Sequence, residues 1–96
     1  MATFITLVNF TDQGIQNVRD SPKRLEAFKV LVENLGGTVK SAYWTLSSYD
    51  LVVVVEGSEE SAMIANLKVG SLGNVRTQTL RGFSADEMKR LISSMP

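Results

Sequence analysis

Residues 51–55 read Leu-Val-Val-Val-Val. The run is too short for a helix, and it lacks the polar alternation of a strand with one wet face. Successive side chains of a strand point to opposite sides of the sheet. Leu51, Val53 and Val55 therefore face one way, and Val52 and Val54 the other. "TFITLVNF" (3–10) makes the same demand, with Phe4, Val8 and Phe10 on one side and Ile5 and Leu7 on the other. The fold must place both segments as central strands and cover both of their faces.

The rest of the chain supplies what surrounds them. Thr11-Asp12-Gln13-Gly14 ends the first strand, and "GIQNVRD" fits one irregular helical turn. Ser21-Pro22 starts a long helix, with a hydroxyl at the N-cap and proline at N1. Leu25, Phe28, Leu31, Val32 and Leu35 follow at helical spacing, and Gly36-Gly37 stops the helix. "TVKSAYWTL" (38–46) is a second strand, residues 47–50 a tight turn, and 51–56 the third strand. Ser58 caps a second helix that carries Glu59 and Glu60 in its first turn and Lys68 in its last. "GSLGN" (70–74) breaks the chain before a fourth strand over 74–83. Ser84-Ala85-Asp86-Glu87 is a capping box. It opens a closing helix whose apolar stripe, Met88, Leu91, Ile92 and Met95, predicts docking through Met88, Leu91 and Ile92.

The order β-α-β-β-α-β plus a terminal helix is a ferredoxin-like α+β arrangement, one domain over residues 1–96. Its four-stranded antiparallel sheet has the spatial order 4-1-3-2. The edge strands, second and fourth, carry Lys40, Ser41, Thr45, Arg76, Gln78 and Arg81. Both main helices cover one face. The other face is too apolar for a soluble monomer. The simplest cover is the same face of a second copy, which predicts a homodimer and leaves room for larger assemblies of dimers. The alternatives are the terminal helix folding over the sheet, or a different protein.

Composition narrows function mostly by exclusion. There is no cysteine and no histidine, so no thiolate or imidazole metal site and no imidazole base is available. No cofactor is implied. Ten basic residues balance ten acidic ones, which is not the charge of a nucleic-acid binder. "MATFITLVNF" lacks a basic leader region and is interrupted by Thr3, Thr6 and Asn9, so it does not read as a signal peptide. The aliphatic run at 51–55 is far below the roughly 20 residues of a membrane span. The expected location is cytoplasmic.

The segments "TFITLVNFTDQGI", "SPKRLEAF", "AYWTLSSYDLVVVVEG" and "GSLGNVRTQTLRGFS" together resemble the GYD domain family, uncharacterised bacterial and archaeal proteins of the dimeric α+β barrel group. The resemblance spans nearly the whole chain and implies the same fold and a dimer. It implies no activity. The chain departs from the family's name motif: Ser47 or Ser48 stands where glycine precedes Tyr49-Asp50. A glycine there would serve a left-handed turn.

The topology gathers Asn9, Thr11, Asp12, Trp44, Tyr49, Asp50, Asn74 and Arg76 at one end of the sheet. Asn9, Trp44, Tyr49, Asp50 and Arg76 are the candidate ligand-binding residues. Asp50 and Arg76 begin strands about 10 Å apart, close enough for a long arginine to approach the carboxylate. Gly70-Ser-Leu-Gly73 lacks the lysine and the following helix of a phosphate loop, and reads as a turn.

Three functions fit these residues. The first is a small-molecule binding or sensing module with its ligand between the sheets or at their rim. The second is a cofactor-independent oxygenase or isomerase, with Asp50 as base and Tyr49 or Arg76 stabilising an oxyanion. The third is an assembly subunit without a ligand.

Overall fold

A computed structural model describes all 96 residues. In chain order they form β1 (Ala2–Phe10), α1 (Asp12–Gln16), a 3-10 turn (Val18–Asp20), α2 (Ser21–Asn34), β2 (Thr38–Trp44), β3 (Leu51–Gly57), α3 (Glu59–Ser71), β4 (Val75–Gly82) and α4 (Ala85–Ser93). The sheet order is β2-β3-β1-β4 and every pairing is antiparallel, as the sequence predicts. No helix is long and apolar enough to cross a membrane.

Register assigns each residue to a face. Phe4 pairs with Val55, Thr6 with Val53 and Val8 with Leu51, and these residues lie beneath α2 and α3. Val8, Leu51, Val53, Val55 and Val75 form the core with Val32 of α2 and Ala65 of α3. Val53 is 3% exposed, and burying one such side chain contributes about 2 kcal/mol. The opposite face carries Ile5 paired with Val54, Leu7 with Val52, Leu80 with Ile5 and Tyr43 with Val52. No element of the chain covers this open face with buried side chains. Leu80 is 51% and Tyr43 64% exposed. A register shift between Val39 and Ser41 makes Lys40 the extra residue of β2 and decides which of its side chains face the helices.

Two starts differ from the sequence reading. Asp20 rather than Ser21 stands at the α2 N-cap, and no side chain caps that helix. Ser21 is the first helical residue and its hydroxyl serves Trp44 instead. The α4 capping box forms in full: Ser84 Oγ accepts from the Glu87 N–H at 3.1 Å, and Glu87 Oε1 accepts from the Ser84 N–H at 3.0 Å. The expected docking of α4 does not occur within the chain. None of its residues is buried, and Met88, Leu91 and Ile92 stay 45–56% exposed. The long axis of the molecule reaches 51 Å, so α4 extends the body rather than folding back over it.

The Ser84 N–H holds the Glu87 carboxyl below its ordinary value of 4.5, with help from the Ser84 hydroxyl and from Arg81 and Arg90. A depressed folded value means this contribution is present above about pH 4.5 and lost as pH falls through the folded value. Helical circular dichroism between pH 6 and 3 should therefore show α4 fraying on the acid side. Ser84→Ala should remove about 1 kcal/mol of α4 stability and flatten that pH response.

Ser47 has φ of 90°, and it is the one non-glycine residue with positive φ. It occupies the turn where the resemblance expects glycine. The left-handed conformation costs an L-residue roughly 1–2 kcal/mol. Ser47→Gly should stabilise the protein by about 1 kcal/mol, or about 5 °C in Tm, measured by thermal denaturation.

Candidate functional site

The turn between β2 and β3 is built by side chains from three strands. Thr45 Oγ1 donates to the Tyr49 carbonyl at 2.6 Å, and the Thr45 N–H donates to the Asp50 carbonyl at 2.9 Å. Asn9 of β1 donates its amide to the Ser48 carbonyl at 2.7 Å. Asp50 closes the junction: its N–H donates to the Val8 carbonyl at 2.9 Å, and its Oδ2 accepts from the Phe10 N–H at 2.8 Å. The Tyr49 hydroxyl reaches across β1 on the open face and donates to Gln78 Oε1 of β4 at 3.3 Å.

Asn9 and Arg76 are paired neighbours on β1 and β4, and they share the open face with Gln78. Asn9, Tyr49, Asp50 and Arg76 thus meet at one sheet end. Trp44 shares that end but not that face. It pairs with Leu51, on the helix side, and its indole N–H donates to Ser21 Oγ at 3.0 Å. The expected approach of Asp50 and Arg76 is not made as an ion pair. The salt bridges are Lys29–Glu26, Lys40–Glu56 and Arg81–Glu87, and Arg76 is exposed without a charged partner.

Chemically, this corner offers a fixed carboxylate, a free guanidinium, a carboxamide pair and a phenol. Asp50 is partly committed to the backbone, because a carboxylate oxygen holding an N–H is a weaker proton acceptor. Asp50→Ala should cost about 2 kcal/mol, the worth of a charge-assisted hydrogen bond. Asp50→Asn keeps an acceptor and should cost less than half of that. Urea unfolding of the two variants measures the difference.

A second constellation, which the sequence reading took as two separate turns, ties α1 to the start of β4. Thr11 Oγ1 donates to the Gly73 carbonyl at 2.6 Å, and the Thr11 N–H to the Asn74 carbonyl at 3.1 Å. Gln13 donates to the Leu72 carbonyl and to Asn74 Oδ1. "FTDQG" and "SLGN" therefore form one locked junction beside the candidate corner. The GYD family model matches residues 4–92.

The chain belongs to the GYD domain family.

A curated relative from Thermus thermophilus is 38% identical over 95 residues, which is 95% of this chain and 99% of that protein. It is named glutamine synthetase and cystathionine beta-lyase binding protein. Among solved structures, a hypothetical protein from Pyrococcus horikoshii superposes with a TM-score of 0.59 at 21% identity, over 88% of this chain and 92% of that one. FFRP-DM1 gives 0.58 at 21% identity, over 86% and 100%. A second Thermus thermophilus structure gives 0.50 at 25% identity, over 88% and 96%. These likenesses establish the ferredoxin-like fold of this GYD domain.

Proposed function

We propose that this GYD protein is a homodimeric binding module that docks on a metabolic enzyme. The observation that carries the reading is the 38% identical relative, matched over nearly its whole length and named for binding two enzymes. The chain's own surfaces support it. The open face measures roughly 20 Å by 20 Å from strand spacing and rise. That is about half of the 800 Å² per partner typical of a stable interface. The exposed stripe of α4 can supply the remainder by packing on the second copy. A separate apolar surface then stays available for another protein: the outer side of α3 presents Met63 and Leu67, 60% and 65% exposed and one helical turn apart. Flexible methionine suits such docking.

Isothermal titration against glutamine synthetase and cystathionine beta-lyase from the same organism tests this. The expected result is saturable binding to at least one of them, lost in Leu67→Asp while the oligomer mass is unchanged. Absence of binding to both would overturn the enzyme-docking reading.

A small ligand at the strand-end corner is a second reading, and one observation favours it. Arg76 stands unpaired beside Asn9, at the edge of the face proposed as the dimer seam. A thermal-shift series with small carboxylic acids should then show stabilisation that Arg76→Ala removes. The Asp50–Phe10 hydrogen bond weighs against Asp50 as a catalytic base.

A further inference from the structure

We infer that the space between α2, α3 and the sheet is a binding site for a carboxylate with an apolar body of roughly eight to ten carbons. It lies on the helix side, away from both the open face and the strand-end corner, and is independent of the enzyme-docking reading. The cavity measures about 230 Å³. Its floor is made by Val8, Leu51, Val53 and Val75. Phe28 of α2 and Val69 of α3 line its sides, yet both are only half-buried, so the helix layer does not close over the sheet. An apolar cavity of about 150 Å³ takes up benzene, so this one has room for a longer body.

Water is a poor occupant. The polar atoms nearest the floor are already engaged: Thr6 Oγ1 lies 3.1 Å from Thr79 Oγ1, which also accepts from Asn66 at 2.7 Å. A buried water needs two to four partners.

The charge of the lining selects the head group. Arg24 and Lys68 line the cavity and no acidic residue does. Neither takes part in an ion pair. The Arg24 guanidinium is held in place by the Asn17 carbonyl at 2.9 Å and the Gly14 carbonyl at 3.4 Å. Its remaining N–H groups are free for a carboxylate. Ser21, which accepts the Trp44 indole N–H, also lines the cavity. Trp44 is the one tryptophan, so its fluorescence reports on occupancy.

Octanoate, titrated below its micelle concentration by calorimetry and Trp44 fluorescence, is the direct test. The expected result is one site per chain with a Kd of roughly 10–100 µM. Lys68→Ala should weaken octanoate about tenfold and leave 1-octanol unchanged. Val69→Phe, which fills the cavity, should abolish binding of both. Ala27→Trp, at an exposed position on the same lining, provides the block should Val69→Phe fail to fold. Absence of saturable octanoate uptake would overturn the site, as would wild-type binding in a folded cavity-filled or blocked variant. Octanoate affinity unchanged in both Lys68→Ala and Arg24→Ala would overturn the carboxylate assignment.

Discussion

Val54→Glu should leave a folded chain that no longer dimerises, whereas Val53→Glu should not fold at all. The two residues are adjacent in one strand and differ only in the face they occupy. Val53 pairs with Thr6 and Ala42 beneath the helices and is 3% exposed. A carboxylate there has no partner, and an unpaired buried charge costs several kcal/mol. That is comparable with the whole stability of a small domain, about 5–15 kcal/mol. Val54 pairs with Ile5 and Ser41 on the open face, where a glutamate in the isolated chain can reach water. Between two sheets packed face to face it cannot, and the two-fold axis brings a second glutamate close to the first. The same several kcal/mol then fall on association rather than folding, about a thousandfold or more in the dimer Kd. Circular dichroism with light scattering separates the two effects. Equal loss of fold in both variants would mean that the open face is not an interface.

Gly14→Ala should be the most damaging methyl addition in the chain. Gly14 is buried in α1, and a Cβ there would overlap the Asn74 carbonyl oxygen, a backbone atom fixed by its bond from the Thr11 N–H. Relief requires α1 to move off β4, which breaks the Thr11 and Gln13 bonds to residues 72–74. The expected loss is about 3 kcal/mol, read as a drop in urea midpoint at unchanged slope. Gly70→Ala is the control: a Cβ there meets nothing within 4 Å, and the change should be neutral or slightly stabilising.

Strand order was legible because the two doubly apolar segments have to be central, and the breakers between elements leave only one short connection for each step. Glycine and capping signals at Gly36, Ser58 and Ser84 each mark an end that the structure keeps. What sequence could not supply was parity in β2. The extra residue at Lys40 turns Trp44 toward the helices and Tyr43 toward the open face, and no residue type marks that bulge. Trp44 was therefore read with the corner that its neighbour Tyr49 joins, although its indole bonds to α2. Asp50 and Arg76 were close enough by strand spacing to meet. The Phe10 N–H meets the carboxylate instead, because a backbone donor one strand away is nearer than a flexible guanidinium two strands away. The stripe of α4 was legible as apolar but not as unpartnered, since amphipathicity says that a helix docks and not on what.

The account rests on the open face being covered by a second copy, and the mass of the wild-type particle tests that most directly. Light scattering on the purified protein at micromolar concentration should give twice the 10.5 kDa chain mass, or an even multiple if dimers associate further. A well-folded particle of 10.5 kDa would contradict it.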